Sequence, residues 1–236
     1  MTFPQRIQGV FFDPAPTMAD VAQKPKPVAA ILILILVLTA VFSYIAAPYG
    51  AKDSVAAMKD NVKMQERLGQ ERFDQMIARM ENPKPAALVF RSLVISPAFA
   101  AVFFGIQALF LLILGRMFSS EGSFIPVFSV LLHAKLIDGL LGNLVRGALI
   151  LVRKSVIQTS TSLALLAPKA EFTSTSYILL SQVDFFQLWM FGVLGFGLSA
   201  VFKIPVKKGM ILSYAFWAVK AVVNISIGFL GKSFLG

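Results

Sequence analysis

Between Val28 and Ala47 the chain runs for twenty residues without a charged side chain. At 1.5 Å per residue a helix of that length reaches about 30 Å, the thickness of the hydrocarbon core of a bilayer. Hydrocarbon offers no partner to backbone N–H and C=O groups, so a single run of this kind must satisfy them internally as a helix. Lys24-Pro25-Lys26-Pro27 stops the chain at headgroup level before the run, and Pro48-Tyr49-Gly50 is expected to end it. Four more runs read the same way, at about 93–114, 124–152, 184–202 and 209–230. Arg91 and Arg116 flank the second, and the tight turn Ser119-Ser120-Glu121-Gly122 leads to the third. The fourth and fifth are joined by the basic turn Lys203-Ile204-Pro205-Val206-Lys207-Lys208. The expected fold class is all-α, a polytopic transmembrane bundle of five spans. Residues 28–236 form one membrane domain, with a helical extramembrane insert at 51–90 after the first span.

Composition agrees. Hydrophobic residues make up 57% of the chain and charged residues 14%, against about 25% charged in soluble domains. Too few polar side chains remain to cover a water-facing globule, so the bilayer is the expected partner. The net charge of +10 does not indicate nucleic acid, because the 22 Lys and Arg residues sit mostly between apolar segments. Membrane flanks and anionic headgroups place cations there. There is no cysteine, which removes disulfides, thiolate metal sites and cysteine nucleophiles. The single histidine, His133, rules out sites that need two. No metal and no cofactor is expected. No cleavable signal peptide is expected either, since the first apolar run follows a polar, proline-bearing stretch and is too long for a signal core.

Residues 1–27 read as an amphipathic entry segment in which Phe3, Ile7, Val10 and Phe11 recur at helical spacing. Asp13-Pro14-Ala15-Pro16-Thr17 breaks it, with Thr17 able to cap a second short helix. Its apolar face either docks on a membrane surface or a partner, or is a solvated lead-in. In the insert, Val55, Met58, Val62, Phe73, Met76, Ile77 and Met80 follow a helical period, and Gly69 divides two helical pieces. Seven cations (Lys52, Lys59, Lys63, Arg67, Arg72, Arg79, Lys84) meet six anions (Asp53, Asp60, Glu66, Glu71, Asp74, Glu81), the pattern of a water-facing hairpin. Its methionines are either packing or a binding groove. The stretch 153–182 is polar and apolar by turns, read as a surface or re-entrant segment or as a further span. Five spans put the N-terminus and the second and fourth loops on one side. The basic fourth loop favours the cytoplasm for that side, although the other side carries as many cations.

Ionisable groups inside a membrane are costly and rarely face lipid. The third span carries Lys135 and Asp138 on neighbouring parts of one helix face, with His133 on another. Folding spans two and three about their turn brings Gln107 to the depth of His133. Folding spans four and five brings Gln187 to the depth of Asn224, so hydrogen bonds are expected in both pairs. These groups are either glue between helices or an ion pathway lined by His133, Lys135 and Asp138. Gly139, Gly142, Gly192, Gly195, Gly197 and Ser199 mark close helix approaches, Gly195 and Ser199 at small-xxx-small spacing. No phosphate loop, serine elbow or paired-carboxylate signature is present. The Ser/Thr clusters at 159–162 and 173–176 lack a positioned base and read as interfacial loops. No catalytic residue is assigned and no enzyme activity is expected.

From Tyr177 to Val219 the chain resembles a known family. Leu180-Ser181-Gln182-Val183-Asp184-Phe185-Phe186-Gln187-Leu188-Trp189 is followed by Gly195-Phe196-Gly197-Leu198, the lysine turn and Phe216-Trp217. This order of acid, aromatics, glycine-rich helix, basic turn and Trp-bearing last helix is similar to the Yip family of Ypt/Rab-interacting membrane proteins, in particular its prokaryotic branch. The N-terminal Phe12-Asp13-Pro14 and the Pro-flanked first span fit the same layout. The resemblance implies a five-span bundle with a cytoplasmic N-terminus and gives Asp184, Phe186, Trp189, Gly195 and Gly197 as motif residues. In eukaryotic members it implies vesicle trafficking and Rab GTPase partners. The function expected is non-enzymatic: organising a membrane, or binding a membrane-protein partner or a second copy of the chain. The place expected is a bacterial cell membrane. The competing reading is a small transporter or channel.

Overall fold

The computed structural model describes residues 1–59, 62–157, 161–167 and 174–235. Among these residues the regular structure is helical, apart from an antiparallel bridge between Ser162 and Asp184. In chain order the helices are α1 (Phe3–Phe12), α2 (Pro14–Gln23), α3 (Val28–Lys59), α4 (Val62–Leu68), α5 (Gln70–Glu81), α6 (Pro85–Arg116), α7 (Phe124–Arg153), α8 (Thr175–Leu180), α9 (Phe185–Phe202) and α10 (Val206–Leu235). Helices α3, α6, α7, α9 and α10 are long and apolar enough to cross a membrane. Wide π turns interrupt α6 at Arg91–Ile95 and α7 at Ile137–Gly142.

The helices overrun the expected span ends. Pro48 does not stop α3, which continues to Lys59. Proline removes its own intrahelical bond, while the N–H groups that follow it can still continue the helix. Helix α6 starts at Pro85, eight residues before the apolar run, because proline suits the first turn of a helix. The stretch 153–182 contains a 3-10 turn, Leu163–Leu166, and the six-residue α8. Neither is long enough to span. Asp60, Thr159, Ser160, Lys169 and Thr173, which entered the readings of the insert and of the loops, lie outside the described residues.

Contacts divide the chain into two compact units. The first holds Met1–Thr39, Pro97–Asn143 and Phe185–Ala221; the second holds Ala40–Ser96, Leu144–Asp184 and Val222–Gly236. In the first unit α9 is the centre: Phe191, Leu194, Leu198 and Phe202 are fully buried, joined by Val10, Met18 and Val21 of the N-terminal helices. The amphipathic entry segment thus docks on its own chain. Phe3, Ile7 and Phe11 lie against a second cluster formed by Ile31, Ile35, Leu132 and Leu136. Asp13 breaks α1 from α2, and Thr17 sits inside α2, its hydroxyl donating to the Asp13 carbonyl at 2.7 Å.

In the second unit the insert is helical on both sides of Gly69: before it lie the end of α3 and then α4, after it α5. Gly69, between α4 and α5, has φ of +75°, a conformation that costs glycine least. Val55, Phe73 and Ile77 are buried there, with Met58, Met64, Met76 and Met80 packed around them. Lys59 and Glu81 form an exposed ion pair at 2.6 Å.

Candidate functional site

In the first unit the polar residues of α7 find separate partners. His133 is fully buried, and its Nδ1 lies 2.8 Å from the Ser129 carbonyl one turn back. Its Nε2 has no partner among the described residues, and neither has the sealed Oε1 of Gln107. The expected Gln107–His133 bond is therefore not made. The Lys135 ammonium lies over the Phe104 ring, 4.5 Å from the centre. The π turn that follows begins at Ile137 and carries Asp138, which also has a partner within the fold.

The Gln187–Asn224 bond is also replaced. Gln187 Oε1 accepts from the Lys220 ammonium at 2.5 Å. Asn224 donates instead to Gln182 Oε1 at 3.2 Å. Lysine is the stronger donor, because its charge assists the bond.

Close approach is concentrated in α9 and its neighbours. A Cβ at Gly197 would lie 2.7 Å from Val130 and 2.8 Å from Met18, and one at Gly195 would meet Met210. A Cβ at Gly209 would stand 2.4 Å from the Gly195 carbonyl oxygen and 2.8 Å from Ser199. The Gly195/Ser199 face is thus where α10 starts against α9. Gly139 faces open space, so the small residues of α7 do not all mark contacts. Trp189 stacks edge-on with Phe11, 6.3 Å between centroids at 75°, and Phe186 lies edge-on to Phe185. Both Phe186 and Trp189 are half-buried against the core of the first unit.

Asp184 belongs to the second unit and is buried. Its Oδ2 accepts from the Thr161 hydroxyl and lies 3.6 Å from Arg146 Nη1, which itself donates to Thr161 at 3.2 Å. The Leu163 N–H donates to the Val183 carbonyl at 2.9 Å, so residues 161–163 are pinned to 183–184.

The second unit also holds an open cavity of about 990 Å³. Helix α3 supplies Phe42, Ser43, Ala46 and Asp53, α6 supplies Leu88, Arg91, Ser92 and Ser96, and Arg79, Arg146 and Tyr177 complete its polar lining. Ser43 and Ser96 share a hydrogen bond at 2.7 Å. Asp53 caps the chain after α7, accepting from the Ser155 hydroxyl at 3.0 Å and the Val156 N–H at 2.6 Å. The Tyr177 hydroxyl donates to the Ile157 carbonyl at 3.0 Å, and burial raises its pKa, so the phenol stays neutral. Among the described residues Arg79 and Arg91 form no ion pair or side-chain hydrogen bond. Of the polar residues of α7, Arg146 lines this cavity, whereas His133, Lys135 and Asp138 do not. The sequence showed Arg79 only as one charge in a balanced insert and Arg91 only as a flank. A large cavity between helices with few, convergent charges is the usual form of a ligand site. Among the described residues no cluster of His, Asp or Glu is arranged to hold a metal ion.

One family model, described as the Yip1 domain, matches residues 9–227. Neither the curated proteins nor the solved structures contain a match to the chain.

Proposed function

Because the chain belongs to the Yip family of multi-pass membrane proteins, we propose that it is a non-enzymatic membrane protein that binds a membrane-protein partner or a second copy of itself. The observation that carries the reading is the way the N-terminal helices are built into the first unit. Arg6 is buried and bound to Asp20, and Met18 and Val21 are core residues. A segment fixed in this way presents a rigid surface instead of a tail. Five spans put α1 and α2, the loop after α6 and the turn before α10 on one side, which we take as cytoplasmic. That side carries the exposed apolar residues Phe12, Met117 and Phe118 as well as the exposed Lys203, Lys207 and Lys208. Apolar groups set among cations outside the spans are the make-up of an interaction surface.

A photo-crosslinking amino acid at Phe12 or Met117, in membranes, tests this. A discrete protein adduct is expected at these positions and not at the lipid-facing Val102, and Phe12→Asp combined with Met117→Ser should abolish it. Adducts to lipid alone from all three positions would sink the reading.

A transporter is the second reading, and the unpartnered Nε2 of His133 and Oε1 of Gln107 favour it. It requires that Asp138→Asn abolish solute flux in liposomes. The cavity is lined by other residues, and Lys135 is engaged by Phe104, so the interaction reading has more support.

A further inference from the structure

We infer that the cavity of the second unit is a binding site for one anionic phospholipid, with the phosphate held by guanidinium groups and the acyl chains laid along the apolar wall. The inference is independent of the partner-binding reading, since it concerns different residues and a different ligand.

Three arginines line the cavity from three separate elements: Arg79 from α5, Arg91 from the π turn of α6, and Arg146 from α7. Arg146 is already held by Asp184 and Thr161. Arg79 and Arg91 are exposed and carry uncompensated charge among the described residues. The one carboxylate among the described lining residues, Asp53, accepts through Oδ2 from the Ser155 hydroxyl and the N–H groups of Val156 and Ile157 and forms no ion pair with either arginine, so two guanidinium charges face a single carboxylate charge. The unmet charge is therefore positive, and guanidinium is the cation best matched to a phosphate, which it meets with paired N–H donors.

The rest of the wall sets the second half of the ligand. Phe42, Ala46, Leu88 and Ile150 are apolar, and they come from α3, α6 and α7, helices long and apolar enough to span. A soluble phosphate would leave this wall wet and empty. A phospholipid covers it with its chains and presents its charge to the arginines. The volume of about 990 Å³ lies at the upper end of the range for small-molecule sites, about 300–1,000 Å³. Basic pockets among membrane helices are known to take anionic headgroups.

The test is native mass spectrometry of the full chain in detergent, titrated with phosphatidylglycerol, phosphatidylcholine or inorganic phosphate. One phosphatidylglycerol should be retained at concentrations where phosphatidylcholine is not. Arg79→Gln combined with Arg91→Gln should weaken retention at least tenfold, whereas Arg67→Gln combined with Arg72→Gln, which leaves the cavity lining intact, should not. If the first pair fails to fold, Ala46→Trp provides the second arm: it fills the apolar side, keeps every charge, and should also weaken retention. Equal retention of phosphatidylcholine overturns the charge assignment. Inorganic phosphate binding as well as the lipid overturns the lipid assignment. Unchanged retention in both cavity variants overturns the site.

Discussion

Arg6 Nε lies 2.8 Å from Asp20 Oδ2, and the arginine is 3% exposed. The same guanidinium donates to the Lys26 carbonyl at 3.0 Å, and the Met1 ammonium approaches the other Asp20 oxygen at 3.3 Å. One buried cation therefore ties α1, α2 and the lead into α3. Truncating one member of a buried pair costs about 3 kcal/mol, because the other is left without compensation. Arg6→Ala should release the N-terminal helices and make residues 1–27 sensitive to protease in detergent, with the remainder of the chain still protected.

The same pair sets a pH dependence. Burial of Asp20 works to raise its pKa, but the Arg6 hydrogen bond and the N-terminal ammonium outweigh this and hold it below its ordinary value. A depressed carboxylate contributes stability that is complete above its unfolded pKa, about 3.9, and is lost as pH falls through the folded value. Protease resistance of the N-terminal segment should therefore be flat from neutral pH to about pH 4 and fall below it. In Asp20→Asn the resistance should be lower at neutral pH and lack that acid step. An acid step of unchanged size in the variant would assign it to another group.

Helix existence is the part of this fold that the sequence makes legible. Hydrocarbon penalises any unsatisfied backbone, so a charge-free run such as Val28–Ala47 has one conformation open to it. Periodicity likewise exposes the Phe73–Ile77 stripe and the Gly69 break. Partner choice is not legible in the same way. Matching depths gives the height of Gln107, Gln187 and Asn224, but the bond also depends on the rotation of each helix about its axis. Apolar patterning does not reveal that rotation. The cavity is hidden for a further reason. Arg79, Arg91 and Arg146 are far apart in the chain and lie in stretches that read as an insert, a flank and a span.

Gly209 gives a steric prediction. Its missing Cβ would lie 2.4 Å from the Gly195 carbonyl, a backbone atom that cannot swing aside. Gly209→Ala must push α10 away from α9 and should cost about 2–3 kcal/mol, in the range of overpacked cores. Gly105 and Gly147, helical glycines with nothing within 4 Å of the position a Cβ would take, should accept alanine with a gain of about 0.5 kcal/mol from the stiffer backbone. Thermal unfolding in one detergent compares all three, and a Gly209→Ala protein as stable as Gly105→Ala would refute the close approach.

Five spans make a prediction about sidedness that the native chain is suited to test, since it has no cysteine. Cysteines placed at Lys24, Ser120 and Lys207 should react with an impermeant maleimide from one side of sealed vesicles. A cysteine at Gln75, in the insert, should react from the other. Labelling of Gln75 and Ser120 from the same side would require an even number of crossings between them and would break the five-span topology.

Arg146 and Asp184 offer the sharpest energetic test, because they share a third group. Thr161 donates to the carboxylate and accepts from the guanidinium, so the three are joined around Asp184 Oδ2. Asp184→Ala leaves a half-buried guanidinium facing the removed charge, and Arg146→Ala leaves a buried carboxylate. Each should cost about 3 kcal/mol. The double variant removes both charges together and should cost less than the sum, with a coupling of about 1–2 kcal/mol, well outside the roughly 0.5 kcal/mol scatter of independent sites. Additive losses in a thermal-unfolding cycle would mean that the two residues act separately. The pinning of residues 161–163 to 183–184 would then owe nothing to that pair and rest on backbone bonds such as Leu163–Val183.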